Sequence, residues 1–308
     1  MDASVRAVAV MAAIFVLSQL GALAMVSSAL GEEYQAFEDP NDPMIPVYYV
    51  VAIVLFTFII LYIIKKKRED VVKFIFLGAV GFTIFYVILI VAFLFDTGLA
   101  ALLVSIGLAA VLIFYLIRKP EWYVVDATGV LVAVGVIGIL GISLNILPVI
   151  ILLIILAAYD AISVYGTKHM VALADGVTQM KLPILLVIPK KKGYSYLAQK
   201  SLRQQLDDGD EREAMFMGLG DVIIPGILVS SAFYYLSDEA VMGISGNLLV
   251  ALGALAGGLA GFVLLMRFVL KGNPQAGLPL LNGGTVLGYL LAYLLVFQDL
   301  TFGISVPW

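Results

Sequence analysis

Residues 146–166 read ILPVIILLIILAAYDAISVYG, an apolar run interrupted near its end by one carboxylate, Asp160. The hydrocarbon core of a bilayer is about 30 Å thick and takes about 20 apolar residues as a helix. This stretch has that length, and Pro148 suits its first turn. The same criterion applied outward along the chain predicts nine spans. They lie at about 5–30, 46–64, 72–94, 98–117, 124–143, 147–166, 215–236, 244–268 and 278–297. The first is too long for a secretory leader, whose apolar region covers about 7–15 residues, and is read as a spanning helix. The fifth and sixth are joined by a tight hairpin at Asn145.

Composition supports the membrane reading. Of 308 residues, 62% are apolar and 13% charged, whereas a soluble domain has about 25% charged residues. The fold class is therefore all-α: a polytopic membrane protein of nine transmembrane helices. No basic patch with interleaved aromatics is present, so nucleic acid is not an expected partner. With no cysteine and only His169 as an imidazole, no metal site is expected, and no cofactor either. Chemistry is left to carboxylates, hydroxyls and backbone.

Charge placement orients the spans. With the N-terminus in the cytoplasm, Arg6, Lys65-Lys66-Lys67-Arg68, Lys73, Arg118, Lys119, every basic residue from Lys168 to Arg212, Arg267 and Lys271 fall on one side. All 18 Lys and Arg residues are then cytoplasmic, as the positive-inside rule requires. The other side receives Glu32, Glu33, Glu38, Asp39, Asp42, Asp96, Asp238, Glu239 and Asp299, and no base. The expected location is the cell membrane, multi-pass, with the C-terminus outside. The Lys65–Arg68 run is read as a topology signal that also meets membrane lipid.

The chain divides into three parts on this reading. Residues 1–166 form a six-helix part carrying Asp160, and 167–214 a cytoplasmic, partly mobile loop. Residues 215–308 form a three-helix part. Within the loop, Thr167 to Gln179 is expected as a short interfacial helix. Lys181 to Pro189, apolar and closed by prolines, is expected as a short β-like segment. His169 and Asp175 are read as interfacial and solvent-facing residues.

A second carboxylate stands in a span. Asp221 follows Gly218-Leu219-Gly220 in the seventh. The 1.5 Å helical rise places each acid about 9 Å from the cytoplasmic end of its helix, and consecutive antiparallel helices bring the two to one level. Two carboxylates in low dielectric do not both ionise, so such a pair shares a proton. Aspartic proteases work this way: the charged member activates water and the protonated one polarises the scissile carbonyl. Buried acids also serve as proton or ion sites in coupled transporters, and the two acids alone leave both readings open.

The residues around the acids resemble the presenilin and signal peptide peptidase family of intramembrane aspartyl proteases. Tyr159-Asp160 looks like that family's YD motif on its sixth span, and Gly218-Leu219-Gly220-Asp221 like its GxGD motif on the seventh. Residues Tyr159 to Val171 and Gly218 to Gly226 look like the signal peptide peptidase branch, whereas the N-in topology is similar to presenilin. A prokaryotic, archaeal-type homologue is expected, since no targeting additions are evident. GxGD also occurs in the smaller prepilin peptidases, which nine spans and the YD partner argue against.

The resemblance implies Asp160 and Asp221 as the catalytic pair, supported by Tyr159, Gly218, Leu219 and Gly220. The family's PAL element corresponds to Ala276-Gly277-Leu278, of which only Leu278 is kept. The stretch Ala276, Gly277, Leu278, Pro279 and Leu280 is the expected substrate-binding loop. Substrates would be transmembrane-segment peptides, and a homo-oligomer or accessory subunits are both compatible with the sequence. Cleaving such a helix requires unwinding it, which strands backbone groups in lipid. An enzyme strand can supply the missing bonds by β-augmentation, and Lys181–Pro189 and Ala276–Leu280 are the two candidates. Asn282, Gly283 and Gly284 are read as helix-packing residues.

Overall fold

The computed structural model describes residues 3–28, 31–167, 184–191, 193–198, 213–241, 243–271 and 275–304. Among them are nine α-helices: α1 (Ala3–Ser28), α2 (Ile45–Lys65), α3 (Glu69–Phe93), α4 (Leu99–Arg118), α5 (Trp122–Ser143), α6 (Ile146–Ala161), α7 (Leu219–Tyr235), α8 (Gly246–Val269) and α9 (Leu278–Phe297). Eight apolar segments are long enough to cross a membrane by length and composition, with α6 counted through Tyr165. The shorter one, α7, has 17 residues. The chain is thus a mostly helical multi-pass membrane protein. Residues 168–179 of the expected interfacial helix lie outside the described residues, and His169 and Asp175 with them.

Two differences from the sequence reading bear on the site. Residues 215–218, expected as helix, belong to strand β2 (Ala214–Gly218), which pairs antiparallel with β1 (Leu185–Pro189). Gly218 and Gly220 oppose helix propagation, and β1 offers the preceding residues a ladder instead. Asp221 therefore stands in the first turn of α7, not about 9 Å along a helix. Beyond Ala161, α6 continues as a π-helix over Ile162–Thr167, a widening that often accompanies functional sites.

α5 and α7 form the centre of the bundle. α5 buries thirteen of its residues, whereas α2 buries only Pro46 and Ile60. The apolar outer faces of α2 and α4, with Phe58 and Leu103 strongly exposed, fit lipid as their solvent. One apolar cluster joins α1, α5 and the β1–β2 sheet, and a second joins α6 to α9.

The closest helix pair is α8 with α9. A methyl group at Gly257 would meet the carbonyl of Gly284, and one at Gly288 the carbonyl of Gly253. Small residues let two backbones touch where no hydrophobic effect drives helices together. Gly284 is thus a packing residue as expected, and Asn282 packs against α6 by donating to the Leu153 carbonyl at 2.9 Å. A methyl at Gly283 would meet nothing within 4 Å.

The α5–α6 hairpin is pinned at Asn145. Its side chain accepts from Ile146 N–H at 2.7 Å as the α6 cap. Its amide donates to Asn41 Oδ1 at 2.7 Å, and its backbone N–H to the Pro40 carbonyl at 2.9 Å. This fastens the root of the helix that carries Asp160.

Candidate active site

Asp160 lies one residue before the end of α6 and is 6% exposed. Its Oδ2 accepts the Leu278 N–H at 3.0 Å, and Gly277 N–H is a second donor to the carboxylate. Gly277 is the N-cap of α9, with Pro279 in its first turn. The first N–H groups of a helix have no intrahelical partner and carry the positive end of its dipole. Asp160 therefore fills an anion position at the start of α9.

Asp221 is the third residue after Gly218, the N-cap of α7, and its carboxylate accepts the Gly218 N–H. This is the acidic half of a capping box, in which an acid at the third helical position reaches back to the cap. A methyl group on Gly277 would lie 3.1 Å from Asp221 Oδ1. Gly277 thus leaves its side-chain position open to one aspartate while giving its N–H to the other. Asp160 is also close enough to act electrostatically on Asp221. Two acids from consecutive spans meet across the backbone of residues 277–278.

The other expected site residues divide. A methyl at Gly218 would sit 3.3 Å from Asp221 Oδ2, while one at Gly220 would meet nothing within 4 Å. Gly220 leaves exposed, open space beside the acid. Leu219 is buried in the apolar cluster under the sheet. Tyr159 is half-buried, and no hydrogen bond joins it to either carboxylate among the described residues. Ala276 and Gly277 are buried, and Leu278 to Leu280 begin α9. A helical turn carries no open strand edge, and the Gly277 and Leu278 N–H groups point to Asp160.

Three contributors went unread in the sequence. The Tyr165 hydroxyl donates to Gln275 Oε1 at 2.8 Å and accepts the Ala276 N–H at 3.3 Å, bracing the loop from the π-helix. Nothing in sequence marks it beyond its place five residues from Asp160. Asp126 of α5, 7% exposed, accepts the Val187 N–H of β1 at 2.7 Å. It lies close to the start of the span expected at 124–143, where an acid passes for interfacial. Glu121 accepts from Ser195 and from the Tyr196 N–H at 2.9 Å. No cluster of three or more His, Cys, Asp or Glu forms a metal site among the described residues.

The sheet leads to Asp221. Lys190 N–H bonds to the Glu213 carbonyl and Leu219 N–H to the Ile184 carbonyl. With the register Leu186↔Met217 and Ile188↔Met215, the even-numbered residues of β1 face β2, and Leu185, Val187 and Pro189 face away. α5 lies along that outward edge of β1. On β2, the backbone groups of Ala214, Phe216 and Gly218 face away from β1, toward a side with no comparable neighbour among the described elements.

A sequence profile for the family described as signal-peptide peptidase, presenilin aspartyl protease matches residues 12–298. No curated protein matches. Two solved structures of a presenilin family intramembrane aspartate protease are similar, both with 32% sequence identity. The C222 form aligns with a TM-score of 0.68 over 94% of this chain and 99% of the other. The P2 form aligns with a TM-score of 0.64 over 92% and 96%. This chain belongs to the signal-peptide peptidase and presenilin family of aspartyl proteases.

Proposed function

We propose that Asp160 and Asp221 form the catalytic dyad of a GxGD-type intramembrane aspartic endopeptidase that hydrolyses peptide bonds in substrate transmembrane segments. The observation that carries this is the backbone at Gly277-Leu278, which gives its N–H groups to Asp160 while the side-chain position left empty at Gly277 faces Asp221. The two acids come from separate spans and meet where, among the described residues, neither forms an ion pair with a base.

In this reading the dyad shares one proton. The ionised carboxylate takes a proton from water as the oxygen attacks the scissile carbonyl carbon. The protonated carboxyl gives its proton to the carbonyl oxygen, forming a tetrahedral diol. Collapse breaks the C–N bond, with proton transfer to the leaving amine, and yields a new carboxyl and a new amino terminus. Gly220 supplies the open approach to Asp221, and Tyr165 holds the 275–276 loop in place.

The unwound substrate segment adds as a strand to the outward edge of β2, whose Phe216 and Gly218 lead into Asp221. Main-chain pairing gives affinity without reading a defined side-chain sequence. β1 takes the backing role in this sheet, and Ala276–Gly277 the role of bracing the acids. The cytoplasmic N-terminus and external C-terminus expected from charge place the dyad near the cytoplasmic leaflet.

The test is cleavage of a labelled single-span substrate in liposomes by the wild type, Asp160→Asn and Asp221→Asn. Both variants should fall to background while keeping the wild-type elution volume, and a transition-state aspartyl inhibitor should stop the wild type. Cleavage surviving in either variant would remove that residue from the dyad.

A further inference from the structure

Asp126 is a buried carboxylate for which the dyad has no use. Its Oδ1 accepts one backbone N–H, that of Val187, and its Oδ2 has no partner among the described residues. A buried acid with half its acceptors unmet is costly, so its place against β1 calls for a reason. Val187 N–H points away from β2, in the middle of the outward edge of β1. Pro189 has no N–H, so Leu185 and Val187 carry the only two outward donors of β1, and Asp126 occupies one.

A two-stranded sheet is marginal by itself, and sequence between Pro189 and Ala214 adds a loop-closure cost. β1 therefore needs an anchor outside the sheet. Asp126 ties it to α5 by the hydrogen bond it accepts from Val187 N–H, and stranding that buried donor would be costly. It also fixes the strand in one register, because a slip of one residue would turn Val187 N–H away from it. Beside it lies a cavity of about 390 Å³ lined by Arg6, Trp122, Asp126, Lys191 and Tyr194 among others. Shortening Asp126 thus enlarges an existing space instead of opening a void in close-packed core.

We propose that Asp126 is a positioning residue: it locks β1 to α5 in one register and blocks its outward edge. An incoming strand is thereby confined to β2, in line with Asp221. This rests on the protease reading above only where it concerns the substrate. The lock itself is a property of the sheet. Asn retains an oxygen for Val187 N–H and should work; Ala should not.

The experiment uses the full-length protein in liposomes as wild type, Asp126→Asn, Asp126→Ala and Val187→Pro, the last removing the donor instead of the acceptor. Amide exchange at Val187 in the first three should be alike for wild type and Asp126→Asn. In Asp126→Ala it should be about tenfold faster or more, the scale of leaving one buried backbone donor without its partner. Cleavage of the single-span substrate, with products read by mass spectrometry, should give one main site for wild type and Asp126→Asn. For Asp126→Ala and Val187→Pro it should spread over neighbouring bonds, with KM raised and kcat less affected. Unchanged Val187 exchange in Asp126→Ala would overturn the lock, whether or not the wild type cleaves. Faster exchange with an unchanged product pattern and KM would overturn the substrate-aiming role. A wild type that cleaves nothing, beside the expected exchange result, would sink the protease reading and leave the lock standing.

Discussion

At Gly277 one residue has two duties. Its N–H serves Asp160, and the absence of a side chain lets Asp221 approach. A methyl there would stand 3.1 Å from Asp221 Oδ1, tighter than ordinary van der Waals contact, and buried backbone leaves little room to yield. Gly277→Ala should lower kcat by about ten- to a hundredfold, the penalty of misplacing a reacting group by a fraction of an ångström to an ångström. Thermal stability should change little. Gly283→Ala, where a methyl meets nothing within 4 Å, is the matched control and should keep wild-type turnover. Equal turnover in the two variants would show that the close approach at Gly277 does not matter. The two motifs around Asp160 and Asp221 were legible in the sequence, because an acid inside an apolar run has few bland explanations. Asp126 was not: near a predicted boundary, whose position is uncertain by several residues, an acid reads as interfacial. Tyr165 was not, because its partners arrive from residues 275 and 276, more than a hundred positions along the chain.

The elements around the site divide in the same way. Long apolar runs gave the spans, because twenty such residues in a row have one good solution in a bilayer. Strand β2 escaped because Ala214–Gly218 is continuous in hydropathy with α7, and short apolar runs do not declare their period. Its pairing with β1 follows only from the tertiary register. That register gives a directional expectation. Phe216 N–H faces away from β1, so Phe216→Pro, measured against Phe216→Ala for loss of the ring, should raise KM by about two- to tenfold, the value of one main-chain bond. Met217→Pro removes a bond within the β1–β2 ladder and should abolish cleavage of every substrate. If Phe216→Pro matches Phe216→Ala in KM, substrate does not pair along β2. Away from the site, Gly257→Val forces a branched side chain against the Gly284 carbonyl of α9. Overpacking of this kind costs about 1–3 kcal/mol, and a lowered melting temperature in detergent is the expected readout. An unchanged melting temperature would show that α8 and α9 can separate there without loss.

On the scale of the molecule, charge and architecture make the same division. Lys65 ends α2, Arg118 ends α4, and Arg267 lies in the last turn of α8. Glu32 and Glu33 follow α1 at the opposite end of the bundle. Asp96 lies between α3 and α4, Asp238 and Glu239 between α7 and α8, and Asp299 after α9. Basic and acidic connections thus alternate along the chain, and β1 ends beside Lys190 and Lys191. The positive-inside rule then predicts the orientation of all nine helices at once, and with it the leaflet from which a substrate would reach the proposed dyad. The absence of cysteine from the sequence permits a direct measurement. Single-cysteine variants at the exposed positions Lys66, Lys271, Glu38 and Asp238 have no background thiol. In intact cells a membrane-impermeant maleimide should label Glu38→Cys and Asp238→Cys. Lys66→Cys and Lys271→Cys should label only after the membrane is opened. The reverse pattern would turn the molecule over, moving the dyad toward the outer leaflet. A mixed pattern, with Glu38→Cys and Asp238→Cys on different sides, would mean that the short helix α7 does not cross.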